Sequence, residues 1–355
     1  MANETEKKLI EAWEKHATDI FILAGSPIRY KIDGSYSDAS EKRMTAADTR
    51  TAIEGIYETA RRSMDALLTH GDDDFSMSLA GVARYRVNAY KQRGSLAAVI
   101  RIIAVGIPDP KELGIPDAVM DQVNRTSGLI LVTGPAGGGK STTLACMIDR
   151  INSTREGHII TLEEPIEYLH RNKKCLVSQR EIQMDSDSFI TALRACMRQA
   201  PDVILLGEMR DRETISTALT AAETGHLVLS TLHTLGAANS IDRIIDAFPE
   251  GQQSQVRAQL SMLLRAVVSQ QLLLGEDGKS HPVFELMIAN EAIKNMIRER
   301  KIHQIDSAIR TSAREGMISM DVSIQERYEA GDISRESAVA HAINTEQMQK
   351  RTANI

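Results

Sequence analysis

The sequence predicts an α/β fold in two parts: a larger C-terminal domain holding a mostly parallel sheet covered on both faces, and a smaller α+β N-terminal domain. Three observations predict it. From about residue 117 onward, apolar runs alternate with helical stretches, the pattern of strands joined by crossover helices. Before that, short extended runs cluster around turn residues. Between the two, Gly106-Ile107-Pro108-Asp109-Pro110 and Gly114-Ile115-Pro116 interrupt both patterns, because proline fixes φ and carries no backbone N–H. The expected domains are therefore 1–107 and 117–355, joined by a linker at 108–116.

In the N-terminal part, 19–23 and 28–32 read as a strand and a hairpin arm closed by Asp33-Gly34. A second extended pair, 75–79 and 82–90, meets at Ala80-Gly81, and a further apolar run covers 96–105. In the C-terminal part the runs at 129–132, 158–162, 203–206 and 227–231 supply the strands. After Asp242 the chain reads helical to its end, with an interruption at Gly275-Glu276-Asp277-Gly278 able to carry a short hairpin.

Composition narrows the function classes. A chain of 355 residues, 42% hydrophobic and 25% charged, has enough apolar side chains for sizeable cores without crosslinks. Its three cysteines, Cys146, Cys175 and Cys196, form no CxxC pair and no zinc-ligand spacing, so free buried thiols are expected. A formal charge of -6 disfavours nucleic acid as a partner. The first residues lead into an amphipathic segment and not into a signal peptide, and no apolar run approaches the roughly 20 residues that span a bilayer. A cytoplasmic protein with no direct membrane insertion is expected.

Chemistry concentrates in one loop. Gly134-Pro135-Ala136-Gly137-Gly138-Gly139-Lys140-Ser141 fits G-x-x-x-x-G-K-[ST], follows an apolar strand and opens a helical run at Thr142. Glycine permits the backbone amides of such a loop to turn inward, and the helix behind directs its positive end at bound phosphates. Lys140 is the candidate to reach the β and γ phosphates of ATP, and Ser141 the candidate ligand for Mg²⁺.

A nucleotide hydrolase also needs carboxylates at the carboxyl ends of strands near that loop. Val203-Ile204-Leu205-Leu206 runs into Gly207-Glu208, the glycine leaving room beside the nucleotide and Glu208 standing as a metal-linked carboxylate. Thr161-Leu162-Glu163-Glu164-Pro165-Ile166-Glu167 closes the preceding strand with an acidic cluster, in which like charges call for a nearby cation. His226 and His233 bracket a third strand that ends in hydroxyls. Seven residues apart on a strand, they lie too far from one another for a shared zinc.

The ordered set GPAGGGKS, TLEEPIEYLH, DVILLGEMRD and TGHLVLSTLHT resembles the ATPases of type II and type IV secretion systems, with their Walker A, Asp-box, Walker B and His-box motifs. Ala17-Thr18-Asp19-Ile20-Phe21-Ile22 and Arg84-Tyr85-Arg86-Val87-Asn88 resemble that family's N-terminal motifs, and 292–299 looks like a helix of its pilus-retraction members. Phe21, Ser230, Lys294 and Met296 depart from the family pattern. The resemblance implies a PAS-like N-terminal domain, a RecA-like P-loop C-terminal domain, a homohexamer, and nucleotide held between the two domains of each subunit. It also implies pilus retraction at the inner face of the cytoplasmic membrane, against an inner-membrane pilus platform protein. By the same resemblance Glu163 activates water, Glu208 fills the Walker B role, and His226 and His233 couple nucleotide state to neighbouring strands. Arg84, Arg86, Arg93 and Arg101 become candidates to meet the phosphates, Arg86 and Arg101 first. A type IV secretion ATPase moving other cargo is the alternative within the family; a nucleic-acid translocase is disfavoured by the acidic charge.

Overall fold

The computed structural model describes residues 4–32, 34–79, 81–103 and 106–353. The expected turn residues Asp33 and Ala80, and 104–105 at the end of the expected run 96–105, lie outside the described residues. Two compact units are present, one of the residues up to Gly106 together with Glu167–Leu169, the other of Ile107–Ile166 and His170–Ile355.

The first unit is a six-stranded antiparallel sheet of β1 (Asp19–Ile22), β2 (Arg29–Ile32), β3 (Ser35–Asp38), β4 (Asp72–Leu79), β5 (Ala83–Gln92) and β6 (Ser95–Ile103), in the order β3-β2-β1-β6-β5-β4. Strict alternation organises β5: Ala83, Tyr85, Val87 and Ala89 are buried, while Arg84 and Arg86 project from the other face. Leu9, Ile53, Ile56 and Tyr57 close the core from the helices Glu4–Glu14 and Ala46–Ala60. Thr45 and Asp48 start the second of these with a reciprocal capping box.

The second unit contains β7 (Gly128–Thr133), β8 (Gly157–Glu163), β9 (Cys175–Glu181), β10 (Val203–Leu206), β11 (Leu227–Leu232), β12 (Leu264–Leu274) and β13 (Ser280–Ile288). Their order is β13-β12-β7-β11-β10-β8-β9, all neighbours parallel except the antiparallel edge pair β12–β13. Helices cover both faces, so β7, β10 and β11 are buried at every residue. Two apolar clusters, one per face, hold Leu129 and Leu131 on one side and Ile130 and Val132 on the other.

Three features differ from the sequence reading. The stretch after Asp242 is not helical throughout: 264–274 is the eleven-residue strand β12. Its Val267-Val268 pair suits a strand, and it pairs with β7 over 264–269 on one edge and with β13 over 266–274 on the other. Strand β9, with polar and apolar residues mixed along the sheet edge, gave too weak a pattern to read. The segment 108–116, expected as a linker, is packed on the second unit, with Ile115 in its core and Ile107 and Leu113 against it. The helix expected at 292–299 is present as Glu291–Arg298, with Ile293 and Ile297 buried and Lys294 bonded to Glu291 at 2.7 Å.

All three cysteines are free and buried, and burial pushes the Cys146 and Cys196 thiols up to about 11, leaving them protonated and unreactive at neutral pH. No helix among the described residues is long and apolar enough to cross a membrane.

One buried acid has a measurable consequence for stability. Glu285 on β13 is 2% exposed, and burial pushes its carboxyl up to about 7 from the ordinary 4.5. Between those two values the folded chain binds a proton that the unfolded chain has lost, so this group's contribution to stability is full below about 4.5 and falls as pH rises to about 7. Thermal melts across that range should therefore show a decline that Glu285→Gln removes.

Candidate functional site

The site sits along the carboxyl edge of the parallel strands, where crevices in such sheets bind ligands. Strand β7 delivers Gly134 to this edge, and Gly134 N–H donates to Leu232 O at 3.3 Å, tying the loop to the end of β11. Gly134 has φ +141°, and a Cβ there would lie 2.1 Å from Gln270 O, so only glycine fits between the loop and β12. Gly137 and Gly139 also have positive φ. Pro135, Ala136 and Gly138 complete the curve, and Gln270 braces it by donating its side-chain N–H to Gly138 O. Gly139 is the N-cap of the helix Lys140–Thr154 and supplies no side-chain cap. The first-turn amides, at Ser141 and Thr142, are thus directed at the loop's mouth with the helix's positive end behind them.

Lys140 is 9% exposed, and its ammonium folds back onto Gly134 O at 2.9 Å and Pro135 O at 2.8 Å. A cation is therefore stationed at the centre of the loop, bonded to carbonyls that a phosphate would compete with.

The neighbouring strand ends bring the acids to the same edge. At the end of β10, a Cβ on Gly207 would sit 3.1 Å from Leu162 O and 3.5 Å from Glu163 Cα, which is why a glycine precedes Glu208. Hydroxyls from β11 anchor this turn: Ser230 donates to Leu206 O at 2.8 Å and Thr231 to Gly207 O at 2.5 Å. Glu208 contacts Arg210 through one carboxylate oxygen and His233 Nε2 through the other, the latter at 3.2 Å. Burial, then the Lys140 and Arg210 charges, hold the His233 imidazole below its usual range, so at neutral pH it is uncharged and donates one N–H to the carboxylate.

The acidic cluster after β8 is separated by partners. Glu163 Oε1 accepts the Thr161 hydroxyl at 2.5 Å and the Gln179 amide at 3.2 Å. Glu164 accepts from Gln183 at 2.9 Å and lies 3.9 Å from Arg210. Hydrogen-bond donors thus do part of what the sequence reading assigned to a cation alone.

The remaining candidates are placed elsewhere. His226 precedes β11, where its backbone carbonyl accepts from Gly128 N–H at the start of β7, and its ring bonds Ala221 O at 2.8 Å and Thr224. Six strand residues at about 3.3 Å each put it roughly 20 Å from the loop edge. Arg86 and Arg101, both in the first unit, face one another across the β5–β6 ladder. Like charges in that register repel, and each arginine has its own carboxylate: Asp74 at 2.7 Å for Arg86, Asp19 at 2.9 Å for Arg101.

Sequence reasoning missed a cavity of about 530 Å³ beside Gly139, Thr142 and Thr143. Leu113 and Ile115 wall it from the segment read as a linker, Leu272 and Phe284 from the β12–β13 hairpin, and Arg327 from the C-terminal helices. Lys111, Glu112, Lys279 and His281 also line it, and a slot that combines apolar walls with polar groups beside a phosphate loop suits a flat heterocycle and its sugar. The Val267-Val268 pair and the Gly275–Gly278 turn were the signals for that hairpin. Among the described residues no group of three His, Cys, Asp or Glu side chains forms a metal cage.

The chain is similar to known proteins along most of its length. The family model described as "Type II/IV secretion system protein" matches residues 2–350. The "Type IV pilus retractation ATPase PilT" of Pseudomonas aeruginosa is 43% identical over 323 residues, 91% of this chain and 93% of that protein. A "Twitching motility protein" of Neisseria gonorrhoeae is 50% identical over 276 residues, 78% of this chain and 74% of that protein. The crystal structure of the pilus retraction motor PilT with bound ADP superposes with a TM-score of 0.90 at 43% identity, covering 99% of this chain and all of that one. The fold is accordingly the two-domain α/β fold of secretion ATPases, RecA-like in its C-terminal part. Matched along nearly its whole length, the chain belongs to the type II/IV secretion system protein family, as one of its nucleotide-hydrolysing members.

Proposed function

We propose that this chain is an ATP-hydrolysing, homohexameric motor that powers type IV pilus retraction, working from the cytoplasm at the inner face of the membrane against an inner-membrane platform protein. The observation that carries the reading is Lys140, buried in a glycine loop at the carboxyl edge of the sheet with Glu208 and His233 paired at a neighbouring strand end. The retraction assignment is supported by the full-length likeness to a pilus retraction motor.

In this reading the loop amides and Lys140 hold the β and γ phosphates, and the 530 Å³ cavity takes adenine and ribose. Glu163, buffered by the Thr161 hydroxyl and the Gln179 amide, orients and deprotonates the attacking water. His233 reports the state of Glu208 to β11 through their shared hydrogen bond. His226 acts at the far end of the same strand as a coupling residue. Arg86 and Arg101 exchange their carboxylate partners for phosphate oxygens, a contribution of the arginine-finger kind.

Mg²⁺ fits the donor set. It keeps several waters and takes one or two protein oxygens plus phosphate, and the Ser141 hydroxyl and the Glu208 carboxylate are hard oxygen donors of that number. The metal would neutralise charge building between the β and γ phosphates.

Phosphate release by the purified chain, measured with and without DNA and with and without EDTA, tests this. Turnover that is independent of DNA and lost with EDTA is expected. Turnover that requires DNA would replace the motor reading with a translocase.

A further inference from the structure

Several helices of the second unit begin without a side-chain cap of their own, and two of them start close to one another. The helix Ala237–Asp246 follows Gly236, and the helix Met320–Glu329 follows Ser319, whose hydroxyl makes no capping bond. Both are served by one distant carboxylate. Glu285 Oε1 accepts Ala237 N–H at 2.8 Å, and the backbone N–H of Met320, at the start of the other helix, faces the same carboxylate and favours its charged form. Two positive helix ends therefore converge on one buried negative charge.

The position of the first helix matters to the site. It starts four residues after His233, and the intervening turn is pinned at each step: Thr234 to Ser240 at 2.7 Å, Gly236 N–H to the Ser269 hydroxyl at 2.9 Å, then Ala237 to Glu285. Ser269 and Glu285 face one another in the β12–β13 register. Gly236 has φ +87°, a conformation that L side chains resist, so the turn's path is fixed.

Glu285 is a costly residue for fold stability alone. Its carboxyl is raised by burial and by the neighbouring Asp306 and Asp321 charges, so at pH 8 ionisation works against folding. A neutral isostere removes that cost, which makes a role in stability a poor account of the charge.

We propose that Glu285 is a positioning residue for ATP hydrolysis: by clamping the start of the helix Ala237–Asp246 to that of the helix Met320–Glu329, it holds His233 opposite Glu208. The C-terminal helices and the nucleotide edge of the sheet then shift as one body. This rests on the ATPase reading of the site given above.

Glu285→Gln keeps the shape but puts an amide donor where one of the two backbone N–H groups needs an acceptor. Purified wild-type and variant full-length chains are compared at pH 8 by turnover, melting temperature and amide exchange. The expected result is a kcat about tenfold lower with KM for ATP within twofold, the size expected from loosened positioning. The melting temperature should be no lower than wild type, and exchange at Ala237 and Met320 should be faster. Unchanged kcat, or unchanged exchange at both amides, overturns the proposal. A fall in kcat accompanied by a lower melting temperature and lost ATP affinity overturns it too, by making Glu285 a fold residue. A wild-type chain that releases no phosphate overturns the reading beneath it, which the wild-type measurement alone reveals.

Discussion

Lys140→Ala leaves a folded chain whose ATP turnover is lower by about 10² to 10³ or more, the range for removing one preorganised charge contact to a transition state. The reason lies in what the side chain touches. Its ammonium bonds two of the loop's own carbonyls, Gly134 O and Pro135 O, and Lys140 belongs neither to the strand pairing nor to the two apolar clusters of the unit, which its loss leaves intact. The phosphates lose the cation stationed between the loop and the helix start, and the two carbonyls turn a repulsive face toward them. Weakened ADP binding by calorimetry together with an unchanged melting temperature checks both halves of this statement.

Glu208→Ala produces the opposite split: nucleotide binding within a few-fold of wild type, and turnover lower by about 10² to 10³. The loop amides, Lys140 and the cavity, which bind nucleotide in this account, do not include Glu208. What disappears is the carboxylate that pairs with His233 at 3.2 Å and with Arg210. Single-turnover measurements separate the two variants: Lys140→Ala fails at binding and chemistry, Glu208→Ala at chemistry. Equal loss of affinity in both would mean that Glu208 belongs to the binding surface.

The contrast between His233 and His226 illustrates what a motif conveys and what it does not. Both lie in one short sequence block, yet β11 runs its whole length between them, leaving one at the catalytic edge and the other beside Gly128 at the opposite end. Spacing along a strand indicated that they could not share a zinc; it could not say which of them faces the loop, because that depends on strand direction within the sheet. The central strands were legible because burial on both faces writes them as unbroken apolar runs. Strand β12 was not, since Leu264, Val267, Val268 and Leu272 fit helical spacing as well as a strand, and only the β7 and β13 partners decide. Leu113 and Ile115 were hidden for a different reason. Prolines at 108, 110 and 116 announce a break in regular structure, and a break is compatible with an irregular segment whose apolar side chains fill a core and wall a cavity.

The charge arrangement of the first unit follows the same logic. Alternation along β5 is visible in the sequence and predicts that Arg84 and Arg86 leave the core. Their neutralisation could not be read, because Asp74 comes from β4 through the antiparallel register and Asp19 reaches Arg101 from β1.

Imaging pili in living cells that carry Lys140→Ala, beside wild type, tests the central claim most directly. A motor for retraction predicts abundant filaments that never shorten. Loss of filaments would assign the chain to pilus assembly, and filaments of normal number that retract as in wild type would remove it from pilus dynamics altogether.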